Sequence, residues 1–351
     1  EQLYKITDTI FIETAKPKKE ELPPTLVKNK PIVRQTEFIT DMYSTPNYRE
    51  MDPSKVIFFF FVLFMGVIMA DAGYGILMVV LGLILARRIK VDNGTRRLWY
   101  IITIGGISTI VFGLLFNSFF GVSLFNSSIL PNPVPKTGGE GGSDMTGLMI
   151  ILLGCLGLGV LQIAVGYFCK AINCFKQGDI LGGIFEGLDW VVFFIGLVFL
   201  SIPLLFDLLL PEKGLEGVMG INASNFFKEM QTPGLIVVIV TIVLAALTAG
   251  RNEKGFGKFT KGFGAVYGLI NLMSDILSYA RLFGLMLSGM IIAQTFNDMG
   301  LSVMSSGGVM YIVGGLVIVV GHVFNIAMNV LGAYIHDSRL QYIEFFGKFY
   351  T

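Results

Sequence analysis

One arginine, Arg281, stands inside an apolar run of about residues 262–296, in the stretch Ser278-Tyr279-Ala280-Arg281-Leu282-Phe283-Gly284-Leu285. Read as one membrane helix, that run places the guanidinium near mid-bilayer. A charge there costs at least ~2.5–3.5 kcal/mol, and arginine keeps its charge because its pKa exceeds about 12. It needs a counter-charge or a wet cavity, and what it can do is electrostatic: attract, repel or discharge an ion. The other reading is a structural arginine tied to carbonyls or to an acid elsewhere in the bundle. Its own helix offers no acid on the same side, since Asp275 lies six positions earlier, roughly 240° around. Ser274, Ser278 and Ser288 do share its face. They make a narrow stripe along which another helix could approach closely, or they are serines that merely pack helices.

A second constellation follows at helical spacing: His322, Asn325, Asn329, Gly332, His336 and Arg339 fall on one face of the last apolar run. Such a stripe could line a wet passage, whereas a lone His or Asn in a membrane helix usually bonds to a neighbouring helix. Gln341 and Glu344 extend it toward the cytoplasm. On a straight hairpin, Asn325 would be level with Arg281, and Arg339 about 22 Å nearer the cytoplasm. Gln294, Asn297 and Asp298 are candidates for an outer half of the same path, or interfacial groups at a helix end.

Other chemistries find no support. Gly255-Phe256-Gly257-Lys258-Phe259 lacks the hydroxyl residue after the lysine and the upstream glycine of a phosphate-binding loop. With two histidines and three cysteines, no metal-ligand cluster is visible, and no cofactor is expected. Cys155, Cys169 and Cys174 read as free thiols. Gly154, Gly157 and Gly159 read as close helix contacts. A net charge of +1 without basic tracts gives no case for nucleic acid.

The elements that must hold these residues are membrane helices. The chain of 351 residues is 53% hydrophobic and 15% charged, with a mean hydropathy of +0.70. Its apolar runs are continuous, unlike the alternating segments of a barrel. The expected fold is an all-α polytopic bundle of about eight spans. The run 54–85 is too long for one helix and is split at Asp71 into two, read as an interfacial turn. Further spans fall at about 98–116, 147–168, 184–210, 234–249, 262–296 and 308–335. Lys and Arg alternate with this count: Arg87, Arg88, Lys90, Arg96 and Arg97, then Lys170 and Lys176, then Arg251, Lys254, Lys258 and Lys261, all in loops assigned to the cytoplasm. Both termini would then be cytoplasmic. The Pro- and Gly-rich segment 117–146 would be an irregular outer cap. Residues 1–53, polar and opening on Glu1, would be the tail of a preceding soluble domain, and 54–351 the transmembrane domain.

Asn271-Leu272-Met273-Ser274-Asp275-Ile276-Leu277-Ser278-Tyr279-Ala280-Arg281-Leu282 closely resembles the signature of subunit a (subunit I) of V-type and A-type rotary ATPases. So do the lead-in from Tyr48 to Pro53, Met69-Ala70-Asp71-Ala72-Gly73-Tyr74-Gly75, and the closing segment from His336 to Phe345. The resemblance implies a stator subunit whose last two helices are long and tilted. By it, Arg281 and Arg339 face a rotor ring of c/K-type proteolipids with mid-membrane carboxylates, and two offset half-channels carry H⁺ or Na⁺. It also implies peripheral-stalk E/G-type subunits bound through a preceding domain, a central-stalk d/C-type subunit nearby, and no ATP site in this chain. A bacterial or archaeal cell membrane fits the compact loops better than a vacuolar one. Two rivals remain at this point: a stand-alone secondary cation transporter, which needs its own mid-membrane carboxylate, and a structural membrane anchor.

Overall fold

The computed structural model describes residues 29–43, 50–89, 94–125, 130, 145–209, 214–248 and 256–348. Of these, 89% are helical, and no strand occurs among them. A short helix α1 (Glu37–Tyr43) precedes the hairpin of α2 (Ser54–Met69) and α3 (Ala72–Arg88). Then come α4 (Gly94–Phe116), α5 (Met145–Gln177), α6 (Ile180–Gly182) running through a π turn into α7 (Asp189–Leu209), α8 (Gly214–Met219) and α9 (Ile221–Thr248). The chain closes with α10 (Phe256–Ser278), α11 (Ala280–Met304) and α12 (Met310–Arg339), followed by a π-helical turn over Leu340–Phe345.

Among the described residues, six helical stretches are long and apolar enough to cross a membrane: Gly94–Phe116, Thr146–Gln177, Ile180–Leu208, Ile221–Thr248, Tyr267–Met304 and Met310–Phe346. The two arms of the first hairpin fall short of that length. At 16 residues, α2 is about 24 Å long, less than the ~30 Å hydrocarbon core. It is instead wrapped by protein: Ile57, Phe61, Phe64 and Met65 are fully buried. Phe61 meets Tyr334 of α12, Phe64 meets Tyr279, and Phe60 meets Phe345. This central position explains why α2 is apolar all round and not striped.

Small residues let the helices close on one another, the contact mode expected where lipid supplies no hydrophobic drive. Gly75, Gly82, Gly106 and Gly113 bring α3 against α4, and Gly289, Gly300, Gly314 and Gly321 bring α11 against α12. Gly159 faces the Tyr279 ring, but Gly154 and Gly157 have nothing within 4 Å of a Cβ position. Two of the three glycines expected at close contacts are therefore open.

The α11–α12 hairpin also differs in register from the straight-hairpin expectation. Helix α11 runs on to Met304, and the turn lies at Ser305–Val309 with Gly307 and Gly308 at positive φ. Gly289 meets Asn325 and Asn329. Eight residues back from Gly289 is Arg281, and eight on from Asn325 and Asn329 are Ala333 and Asp337. Arg281 is thus level with His336, not with Asn325.

The segment before α2 packs across one end of the bundle. Glu37 pairs with Arg97 at 3.7 Å. Tyr342 donates to the Ile39 carbonyl, and the Met51 amide donates to Asn173 Oδ1. Arg87 and Arg88 lie in the last turn of α3, Arg96 in the first turns of α4 and Lys176 in the last turn of α5. Lys90, Arg251 and Lys254, the side chains of Lys258 and Lys261, and most of the 117–146 cap lie outside the described residues. Within that cap, Asn117 accepts from the amides of Leu124 and Phe125 and donates to the Phe125 carbonyl. Cys155 and Cys169 are buried free thiols.

Candidate functional site

Arg281 owes its position to a break in its helix. The α-helical hydrogen bonding stops at Ser278 and resumes at Ala280, and the turn at Tyr279 is held by three-residue bonds, Tyr279 N–H to Ile276 O and Leu282 N–H to Tyr279 O. No proline or glycine causes it. The Tyr279 ring is fully buried between Phe64 and Gly159. Its hydroxyl donates to Gln162 Oε1 at 2.8 Å, Gln162 Nε2 donates to Gln341 Oε1 at 2.7 Å, and Gln341 Nε2 donates to Asp337 Oδ1 at 3.3 Å. A buried polar chain therefore ties α5, the α10–α11 break and the end of α12 together, and Arg281 follows two residues later.

The π-helical turn at Leu340–Phe345 rotates Gln341 and Glu344 into the protein, where both are buried. They do not extend the polar stripe toward solvent as expected. Glu344 lies beside Ser278 and within Coulombic reach of Arg281 and Arg339; His336 feels both guanidinium groups. Arg281, half-buried, thus meets a second cation, Arg339, and one acid, Glu344. Among the described residues no carboxylate comes within 4.0 Å of its guanidinium, and its Nη1 has no hydrogen-bond partner. His336 Nδ1, Asp337 Oδ2 and Glu344 Oε2 are also buried without partners. Arg281 and Arg339 thus share this end of the bundle with two buried carboxyl groups, Glu344 and Asp337. Asp275 turns away from it and pairs with Lys348.

The remaining stripe residues form a separate cluster nearer the α11–α12 turn. His322 Nδ1 is 2.7 Å from the Tyr74 hydroxyl, and its Nε2 is 2.9 Å from Asn297 Oδ1. Asn325 Nδ2 donates to Tyr74 Oη at 2.9 Å and to Gly289 O at 3.0 Å, and Asn329 Nδ2 donates to Asn325 Oδ1 at 2.8 Å. Asn297 Nδ2 donates to the Phe120 carbonyl. Beside this cluster, at the turn between α2 and α3, Asp71 caps α3 and is buried. Its Oδ1 accepts from the amides of Gly73, Tyr74 and Phe120, and its Oδ2 from Ser118 Oγ and the Gly121 amide.

The predicted site residues therefore divide. His336, Arg339, Glu344 and Ser278 gather at Arg281; His322, Asn325, Asn329 and Asn297 gather at Tyr74. Ser274 and Ser288 are on the exposed side of their helices, with the Ser288 hydroxyl bonded back to Leu285 O. Gln294 is half-buried, and Asp298 is exposed. Gly284 and Gly332 have nothing within 4 Å of a Cβ position. Sequence reasoning missed Tyr74, Gln162 and Asp337 as members. A polar residue in the middle of a long apolar run was the available signal for Gln162; Tyr74 and Asp337 carried none beyond their place in the family-like segments.

Among the described residues, six helices long and apolar enough to cross a membrane, the last two bringing Arg281 and Arg339 near one another, define a polytopic membrane protein. The profile of the V-type ATPase 116kDa subunit family matches residues 4–136. The A-type ATP synthase subunit I of Methanocaldococcus jannaschii is 31% identical over 363 residues, covering 97% of this chain and 49% of the relative. That of Pyrococcus horikoshii is 31% identical over 360 residues, covering 100% and 50%. The V-type ATP synthase subunit I of Borreliella burgdorferi is 25% identical, covering 94% and 52%. The chain belongs to this family of A-type and V-type ATP synthase subunits I. It spans about half the length of the curated relatives it matches.

Proposed function

We propose that this chain forms the ion-translocating membrane part of the stator subunit a/I of a rotary V/A-type ATPase, with a ring of c/K-type proteolipids as the moving partner. The observation that carries this reading is Arg281: a guanidinium beside a second one, Arg339, with no carboxylate of its own chain at salt-bridge distance among the described residues. A rotor carboxylate arriving at this point would supply the missing counter-charge. An opposite charge at about 4 Å is worth about 4 kcal/mol at an effective dielectric of about 20, enough to make the carboxylate give up its H⁺ or Na⁺. The freed ion leaves by one half-channel while another enters by the second, and the fixed cation blocks direct leakage between them. Ser274, Ser278, His336 and Glu344 would serve one half-path, and Gln294, Asn297, His322, Asn325 and Asn329 the other, with Ser288 on the ring-facing side. Moving each charge against 100 mV costs about 2.3 kcal/mol, which ATP hydrolysis elsewhere in the complex would supply. E/G-type stalk subunits and a d/C-type subunit would complete the assembly, in a bacterial or archaeal cell membrane with both termini cytoplasmic.

One observation favours a second reading, a stand-alone secondary cation transporter, which needs a carboxylate of its own. Asp337, near the end of α12, and Glu344, in the turn that follows it, are buried carboxyl groups. The two readings separate in reconstituted vesicles holding the assembled complex. Arg281→Ala should abolish ATP-driven ion uptake with the complex still assembled. Uptake that needs no other subunit and is lost only with Glu344→Gln would favour the transporter.

A further inference from the structure

The directions of the hydrogen bonds around His322 follow from chemistry alone. Asn325 Nδ2 faces the Gly289 carbonyl and Asn297 Nδ2 faces the Phe120 carbonyl. A carbonyl can only accept, so flipping either amide would set oxygen against oxygen. Both orientations are therefore fixed. Asn297 then presents its oxygen to His322 Nε2, which must carry a hydrogen. At the other end Asn325 donates to the Tyr74 oxygen, leaving the Tyr74 hydrogen to point at His322 Nδ1. A neutral imidazole with hydrogen on Nε2 satisfies every contact. With hydrogen on Nδ1 alone, Nε2 and the Asn297 oxygen would face each other as two acceptors. An imidazolium would displace the Tyr74 hydrogen from its acceptor.

We infer that Tyr74 is a positioning residue that holds His322 neutral in the Nε2–H tautomer. One line of donors then runs from Asn329 through Asn325, Tyr74, His322 and Asn297 to the carbonyl of Phe120, with the second Asn325 hydrogen branching to the Gly289 carbonyl. Asp71 is the acid whose charge acts on the ring. Its two oxygens already accept from five donors, which compensate its charge locally. The Tyr74 ring is held edge-on by Phe120, with centroids 5.3 Å apart, so the hydroxyl has little freedom to leave. The consequence is that fixed positive charge in the α11–α12 pair is confined to the Arg281 and Arg339 end.

That last role rests on the proposed ion path; the tautomer does not, so the two are tested apart. Nitrogen-15 spectra of the histidine-labelled intact complex at about pH 7, wild type minus His322→Gln, isolate one ring. The expected difference spectrum is a single neutral Nε2–H imidazole. Tyr74→Phe, which keeps the ring packing, should turn the one tautomer into a mixture and lower ATP-driven ion transport several-fold with assembly unchanged. An Nδ1–H or imidazolium signal in the wild type, or an unchanged spectrum in Tyr74→Phe, would overturn the inference. If the spectrum changes as expected and transport does not, the tautomer assignment stands and the ion-path role of this cluster falls.

Discussion

The hydroxyl of Tyr279 donates to Gln162 Oε1 at 2.8 Å, joining the break before Arg281 to the middle of α5. Both side chains are fully buried. Removing the hydroxyl leaves the Gln162 oxygen without its donor, at a cost of about 1–3 kcal/mol. Tyr279→Phe should lower the thermal midpoint of the purified complex and reduce coupled ion transport more than ATP hydrolysis, as parallel assays on one preparation would reveal.

Gly159 offers a sharper contrast, because its neighbours in sequence differ in surroundings. A Cβ at Gly159 would enter the Tyr279 ring, whereas Gly154 and Gly157 have open space. Gly159→Ala should destabilise by about 1–3 kcal/mol through overpacking. Gly154→Ala should be neutral or slightly stabilising, since alanine favours helix by about 1 kcal/mol. Thermal denaturation of the two alanine variants compares them directly.

Asp71→Asn tests the buried cap. If the amide nitrogen takes the place of Oδ2, Ser118 can turn to accept, but the Gly121 amide loses its acceptor. At the other oxygen, three amides would meet a donor. Either way the loss should be about 1–3 kcal/mol, and Asp71→Ala should lose more. Proteolysis of the α3 and α4 ends, or the amount of assembled complex in membranes, would report it.

Much of this arrangement was legible in residue pattern. Continuous apolar runs gave the helices, the single Asp-Ala-Gly interruption gave the α2–α3 turn, and helical spacing gathered His322, Asn325 and Asn329. Register was not legible, because Asn297, Asp298 and Gly300 look like a helix end. In the fold Asn297 is satisfied by His322 and Phe120, and Gly300 packs on Gly314, so the helix continues. The break at Tyr279 and the π turn at Gln341 were equally hidden, since both coincide with bonding to Gln162 on a distant helix. Local sequence does not encode a partner 117 residues away.

In the proposed function a moving subunit, and not this chain, supplies the counter-charge of Arg281. Gly284, three residues on and exposed, has room for a larger side chain. Gly284→Cys in the assembled membrane complex, paired with a cysteine beside the carboxylate of the proteolipid, should give a disulfide between the two subunits that halts ATP-driven transport until it is reduced. A cysteine at 284 that never reaches a proteolipid, in a complex that still pumps, would contradict it.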